Sequence, residues 1–517
     1  MNRATRGVIA AGHPKTAEAG KIIFDLGGNA FDAAAAAALM SFVVESTLTT
    51  AAGGGFLLAH TQQNQNYLFD FFSQTPLWKK AQGELDFYPV EINFGDEVQT
   101  FHIGLGACAT PGNLAGIFLI QQKLGVLPFE VVSEPAIALA RNGFTLDPYI
   151  ARTWELLRPI LLSNANSREI YAPQQTLLTS GKRCYMTDFA ETLSEITRKG
   201  IDVFYHGEIA HQIAKDLNIG GYLNLEDLAQ YPVQIRQPLM VNYRGYQLLT
   251  NPPPSSGGAL IAFALKLLER FDLGDMPFYS AQHLQLLAQV LSQTSRARKA
   301  HFDACVHQPD AIAQFLSPST LDPYQGEIQN TVNKWGSTTH ISVLDEYGNA
   351  ASITTSNGEG SGYVIPNTGI MLNNMLGEAD LNPMGFHQWN CNQRISSMMS
   401  PTMLLKDNKP EIVLGSGGSN RIRSAIFQVI SNLLDFDCSL ETAVSNPRVH
   451  WDNHVFSLEP NLQMVDVKQL KLPESTQPLL WESLNMFFGG VHAVRKGAAQ
   501  NFEGVGDPRR NGVAIIC

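Results

Sequence analysis

KWGSTTHISVLDEYGNAASITTSNGEGSG, Lys334–Gly362, sets two adjacent threonines at the mouth of an apolar strand, folds back through a turn, and returns hydroxyls and an asparagine to the same end. With the turn at Asp345 to Asn349, centred near Tyr347, an antiparallel register pairs residues whose numbers sum to about 694. Thr338 then faces Ser356, within side-chain reach across the ladder. A polar cluster so placed is either a solvated strand end, where a threonine–serine pair is an ordinary stabilising contact, or the start of an active site.

Downstream the strand pattern continues through TGIMLNN (Thr368–Asn374) and SPTMLLKDNKPEIVLG (Ser400–Gly415), with a turn at DNKP. SNRIRSAIFQVISNLL interrupts it. There Ile422, Ala425, Ile426, Val429, Ile430, Leu433 and Leu434 follow the i, i+3, i+4 spacing of a helix packed on a sheet. Upstream, residues 7–60 read as a strand (GVIAAG), a helix (TAEAGKIIFDL), a glycine stop at Gly27 and Gly28, an alanine-rich helix, and AAGGGFLLAH running into a strand. In the helix-rich middle third, SAQHLQLLAQVLSQTSRARKAHF puts Leu284, Leu287 and Leu291 on one face. Its basic end, Arg296, Arg298, Lys299 and His301, complements the helix dipole. NPPPSSGG, Asn251–Gly258, is too rich in proline and glycine for a regular element and reads as a shaped loop. No internal repeat, low-complexity segment or linker marks a domain boundary.

Hydrophobic residues make up 44% of the 517, enough for one large core or two ordinary ones. A net charge of −11 repels phosphate backbones and anionic lipid, so no nucleic-acid partner is expected. The six cysteines lie far apart without a CxxC pair, which argues against a zinc cage or a small disulfide scaffold. AFDAAAAAALMSFVV, the longest apolar run, is broken by Asp32 and falls short of the roughly 20 residues that cross a bilayer. It reads as a core helix, and no membrane insertion is expected. MNRATRGVIAAGHPKTAEAG holds no apolar region of signal-peptide length; a cytoplasmic protein is expected, or a periplasmic or secreted one if a leader has been removed.

If the hairpin end is catalytic, its threonine needs a base, and no histidine and aspartate pair accompanies it in sequence. Cleavage of the peptide bond before the threonine would supply one: the freed α-amine, with a pKa of about 7.7 to 8.0, can deprotonate the hydroxyl of its own residue. LGSGGSNRIRSAIF offers an oxyanion hole, because Gly417 and Gly418 precede a helix N-terminus where negative charge is favoured; the same glycines also suit a plain strand-to-helix turn. His340 shares the strand face of Thr338 and reads as a packed, hydrogen-bonded histidine rather than a general base. AAGGGF and GSGGSN lack the lysine and the strand–helix context of nucleotide-phosphate loops.

A family resemblance rests on segments in this order: GGNAFDAA (Gly27–Ala34), AAGGGF (Ala51–Phe56), ATPGNLAG (Ala109–Gly116), YRGYQLLTNPPPSSGG (Tyr243–Gly258), STTHISVLDEYGNA (Ser337–Ala350), TGIMLNN, RISSMMSPT (Arg394–Thr402) and GSGGSNRI (Gly415–Ile422). Over nearly its whole length, from about Arg6, the chain resembles the γ-glutamyltranspeptidases of the N-terminal nucleophile hydrolase superfamily. The resemblance implies an α+β fold, a four-layer αββα sandwich. It also implies self-cleavage between Ser337 and Thr338 into a large fragment, 1–337, and a small fragment, 338–517, interleaved in one domain. Thr338 is then the nucleophile, Ser356 the hydroxyl that hydrogen-bonds its α-amine, and Gly417 and Gly418 the oxyanion glycines. Ser396 and Ser397 resemble the pair that holds the α-carboxylate of a γ-glutamyl compound such as glutathione. The implied partners are that small molecule and the two fragments themselves, and no metal or organic cofactor is implied.

The chain departs from the family pattern at positions that bear on substrate. Relatives carry DFRE, whose arginine grips the substrate α-carboxylate; here the residues are Asp70, Phe71, Phe72 and Ser73. Loss of that bidentate contact weakens carboxylate binding unless another cation replaces it, and Arg394 is either that replacement or a structural residue. In NNMLGEADLNP, Glu378 or Asp380 is expected to hold the substrate ammonium, while SNGEGSG leaves Asn357 and Glu359 near the family's asparagine. GSGGSNR stands for the commoner GSPGGSR, so the oxyanion positions can shift by one. Asp380–Ser396 is too short for a lid, and an open pocket favours water over an amine acceptor, so hydrolysis is expected over transpeptidation. Two further readings stay open: an acylase with a changed acyl group, and an uncleaved binding protein on the same scaffold.

Overall fold

The computed structural model describes residues 5–93, 98–274, 276–325, 337–452, 454–462, 470–473, 476–497 and 501–517. Met1 to Ala4 and, in the opening stretch, Lys334 to Gly336 lie outside the described residues.

The hairpin pairs as its turn dictates: Thr339 opposes Thr355, Ile341 opposes Ile353 and Val343 opposes Ala351. Asp345 locks that register, because its Oδ1 accepts from the amides of Tyr347 (3.0 Å) and Asn349 (2.9 Å) while its Oδ2 accepts from Asn349 Nδ2 (2.7 Å). Strands Thr339–Asp345 and Ala350–Ser356 form the centre of a seven-stranded antiparallel sheet. Gly7–Ala11 and Val513–Ile516 continue it on one side; Gly54–His60, Asn66–Phe71 and Gln234–Arg236 continue it on the other. A second, six-stranded antiparallel sheet faces the first, with Lys409–Gly417 and Gly490–Lys496 lying against the hairpin.

Strand alternation divides the hairpin side chains between two environments. Ile341, Val343, Ala351 and Ile353 pack outward against helices, chiefly Ala30–Val44. Leu344 and Ala350 pack inward against the second sheet. By the same parity Thr339 faces the helices and Thr338 faces the space between the sheets. Helix Ala30–Val44 is buried at every position, as its uniformly apolar sequence requires, and its one charge, Asp32, caps the helix start together with Asn29. On the outer side of the second sheet lie Gly257–Leu268 and Arg421–Leu434, the latter through the face read from its spacing. The mixed α+β class expected from the sequence is therefore present.

The loop reading of Asn251–Gly258 needs one correction: Gly257 and Gly258 already belong to helix Gly257–Leu268. A Cβ on Gly257 would meet the Met398 carbonyl oxygen at 2.1 Å, so glycine is there for close approach rather than for a turn. The six cysteines are free thiols. Among the described residues no helix is long and apolar enough to cross a membrane, and no three His, Cys, Asp or Glu side chains gather as a metal site.

Candidate active site

The threonine end of the hairpin is closed in. Thr338 is 5% exposed, and its Oγ1 donates to the carbonyl oxygen of Ser337, the bond before it, at 2.7 Å. Ser356 Oγ donates to that same oxygen at 2.5 Å, and Ser356 Oγ accepts from the Gly358 amide at 3.1 Å, which aims its proton at the carbonyl. Two hydroxyls thus converge on one peptide carbonyl, an arrangement that polarises it. Gly53 makes room for this: a Cβ there would fall 2.2 Å from the Ser356 carbonyl oxygen, which gives the glycines of AAGGGF a steric role.

Thr339 is a structural neighbour. Its Oγ1 donates to Glu45 Oε2 at 2.5 Å, and Thr16 Oγ1 donates to Glu45 Oε1 at 2.6 Å; burial raises the Glu45 carboxyl above its ordinary range. His340 is fully buried between Thr354 Oγ1 (2.8 Å) and Ser342 Oγ (2.9 Å), and burial holds it well below its ordinary pKa. It is the packed histidine that alternation indicated.

Behind Thr338, Gly417 ends its strand opposite Gly490, and a Cβ on Gly417 would lie 2.2 Å from the Thr338 carbonyl oxygen. Gly418 (φ +120°) and Ser419 (φ +47°) then swing the chain into helix Arg421–Leu434. Ser419 reaches the pocket beside Thr338; Gly417 and Gly418 do not line it. The amides of Gly418 and Ser419 have no hydrogen-bond partner among the described residues, so the one-residue shift suggested by GSGGSNR fits the geometry. Gly417→Ala is expected to displace Thr338 and slow any reaction at its hydroxyl by about 10²-fold. Timed gels of the purified variant check this, and normal rates would contradict it.

Arg510, which sequence reading passed over, donates from Nη1 to the Thr338 carbonyl oxygen at 3.2 Å. The preceding turn is fixed by Asp507, which pairs with Arg448 (2.6 Å) and Arg509 (3.2 Å). Burial opposes its charge, yet those two guanidinium groups hold Asp507 down at about 2.

Ser337, Thr338 and Ser356 line a pocket of ≈ 50 Å³, room for only a few waters at about 15 Å³ each. The lining combines three carboxylates, Glu359, Glu378 and Asp380, with Ser397, Ser419 and the apolar side chains of Phe72, Met375 and Leu381. Glu378 Oε1 accepts from Asn374 Nδ2 at 2.8 Å and from the Glu359 amide at 3.3 Å; Asp380 accepts from Ser419 Oγ. Burial, and then the facing Glu378, push Glu359 well above the usual carboxylate range, against hydrogen bonds from Ser337.

Of the residues expected from sequence, Thr338, Ser356, Glu378, Asp380 and Ser397 meet here. Ser396 points elsewhere, its Oγ 2.9 Å from Ser256 Oγ. Asn357 is outside the lining too: its Oδ1 accepts from Thr50 Oγ1 at 2.8 Å, tying two loops together. Glu359 comes into the pocket instead, because Gly358 (φ +62°) and Gly360 (φ +89°) turn the chain around it.

Phe72, at the position where the family resemblance places an arginine, lines the pocket and stacks on Phe56 at 5.4 Å. Arg394 does not replace that arginine. It lies 3.2 Å from the fully buried Asp70 and donates to Tyr231 (2.7 Å), to the Pro232 carbonyl (2.6 Å) and to the Phe72 carbonyl. Arg236 holds the other oxygen of Asp70 at 2.7 Å. Arg394→Met is expected to destabilise the protein by about 3–5 kcal/mol by stranding part of a buried carboxylate. Thermal unfolding tests it: an unchanged Tm would contradict the structural role.

The fold of two facing antiparallel sheets, with a threonine hydroxyl on its own preceding carbonyl at one end, defines the class to which comparison then gives a name. The model of the gamma-glutamyltranspeptidase family matches residues 16–517, and the chain belongs to that family. A glutathione hydrolase proenzyme of Bacillus subtilis (strain 168) is 30% identical over 98% of this chain and 91% of its own. An acylase ACY 1 proenzyme of Pseudomonas sp. (strain SE83) is 31% identical over 88% of this chain and 84% of its own. The crystal structure of cephalosporin acylase from Bacillus halodurans superposes with a TM-score of 0.84 at 24% identity, covering 99% of this chain and 96% of that one, a likeness of fold.

Proposed function

We propose that the protein is a self-cleaving N-terminal threonine amidohydrolase on the four-layer αββα sandwich of the N-terminal nucleophile hydrolases. The supporting observation is Thr338 Oγ1 at 2.7 Å from the carbonyl oxygen of the bond to be cut. Thr338 Oγ attacks the Ser337 carbonyl carbon, the C–N bond breaks as the Oγ proton passes to the Thr338 nitrogen, and water hydrolyses the ester so formed, leaving a carboxyl on Ser337 and restoring the Thr338 hydroxyl. Fragments 1–337 and 338–517 result, and the α-amine of Thr338 is free. The word proenzyme in the relatives' names accords with such a cut.

In the mature protein that amine takes the Oγ proton as Oγ bonds the substrate carbonyl carbon. The proton passes to the leaving nitrogen as the C–N bond breaks; water, deprotonated by the same amine, then releases the carboxylic acid. The amides of Gly418 and Ser419 serve the oxyanion, and Ser356 orients the amine. Water is the favoured acceptor, because beyond Leu381 the short segment turns elsewhere: Phe386 and His387 pack on Phe87 at 5.4 and 4.5 Å. The γ-glutamyl group of glutathione is the family expectation for the acyl part. The pocket favours the second reading, an acylase with a changed acyl group, since among the described residues no cation lines it to take an α-carboxylate.

An activated acyl ester tests the reaction class. Rapid quenching should show a burst of acyl label on the fragment that begins at Thr338; label elsewhere, or none, would sink the reading.

A further inference from the structure

Resting on the amidohydrolase reading, we propose that the acyl group this pocket accepts carries an ammonium and no carboxylate, an ω-aminoacyl group held between Glu359 and Glu378.

The pocket is one-signed. Glu359 is 3% exposed and Glu378 7%, and both line it with the half-buried Asp380; among the described residues no lysine, arginine or histidine lines it. Glu359 Oε2 is buried without a hydrogen-bond partner among the described residues. Glu378 and Asp380 each accept from a protein donor, Asn374 Nδ2 and Ser419 Oγ. The open acceptor is therefore on Glu359. Before cleavage Ser337 hydrogen-bonds that carboxyl and lines the pocket; once the bond is cut Ser337 is a chain end, and its movement away from Thr338 would withdraw those donors. Burial and the facing Glu378 disfavour the ionised form of Glu359, and an ammonium beside its open oxygen is the charge that would restore it.

A substrate carboxylate finds the reverse. It would be a like charge beside Glu378 and Asp380, and it would disfavour the ionised form of Glu359 further. Phe72, 1% exposed and stacked on Phe56, stands where a guanidinium would grip it. Of the nearby guanidinium groups, Arg236 and Arg394 are committed to Asp70, while Arg510 donates to the Thr338 and Met486 carbonyls outside the lining and lowers the Glu359 pKa only as the last of the influences on it. The apolar wall of Phe72, Met375 and Leu381 suits a methylene chain between the reacting carbonyl and the ammonium.

Matched p-nitroanilides separate the possibilities on the purified, self-cleaved protein. The γ-glutamyl anilide has both charges, 4-aminobutanoyl only the ammonium, 4-carboxybutanoyl only the carboxylate, and butanoyl neither. The 4-aminobutanoyl compound is expected to show a kcat/KM at least about tenfold above each of the others, as a charge-assisted contact in a desolvated site implies. Glu359→Gln should bring the ratio of 4-aminobutanoyl to butanoyl toward one. Phe72→Arg is a second variant, in case the first does not mature, and should raise γ-glutamyl relative to 4-aminobutanoyl. Equal or better cleavage of the γ-glutamyl, 4-carboxybutanoyl or butanoyl compound overturns the inference and leaves the amidohydrolase reading standing. A cleaved preparation that turns over none of the four also overturns it. A chain that stays whole and turns over none overturns the amidohydrolase reading itself.

Discussion

Thr338→Ala is expected to run as one chain of 517 residues where the unaltered protein separates into 1–337 and 338–517. The same variant should lose amide hydrolysis by about 10⁴-fold or more, the usual scale for removing a covalent nucleophile. The reason is local: Thr338 Oγ1 is the hydroxyl placed on the Ser337 carbonyl, and the neighbouring Thr339 hydroxyl, turned to Glu45 on the other face of the strand, cannot reach it. Denaturing gels and intact mass read the first effect, and anilide turnover the second. A variant that still divides before residue 338, or that keeps its turnover, would remove Thr338 from the chemistry.

Ser356→Ala should slow self-cleavage by about 10²- to 10³-fold, the scale seen when one donor to a developing oxyanion is deleted. Ser356 Oγ sits 2.5 Å from the oxygen on which negative charge would build, already oriented by the Gly358 amide. Ser356→Thr, which keeps the hydroxyl, should stay within about tenfold of the unaltered rate. A time course of fragment appearance after rapid purification distinguishes these outcomes, and an unslowed alanine variant would assign the polarising role elsewhere.

The hairpin was legible because its determinants are local. Asp345 and Asn349 fix the turn, the turn fixes the register, and the register brings Thr338 to Ser356. Helix Arg421–Leu434 was legible for a similar reason, its spacing naming the face that packs on the second sheet. What escaped is where alternation stops. Beyond Ser356 the two positive-φ glycines choose Glu359 over Asn357 for the pocket, and a strand-period reading does not extend across them. Ser396 is drawn off by Ser256, 140 residues earlier in the chain, and Arg510 arrives at Thr338 from 172 residues later. Such long-range partners leave no periodic trace in sequence. The absent arginine could be read directly at Phe72, but the commitment of Arg394 to Asp70 required the fold.

Sequencing from the amino terminus of the smaller fragment, in a preparation shown to be active, tests the central claim most directly. The expected reading is Thr-Thr-His-Ile-Ser, a free α-amine on residue 338. Full activity from a chain whose Ser337–Thr338 amide is intact would contradict it.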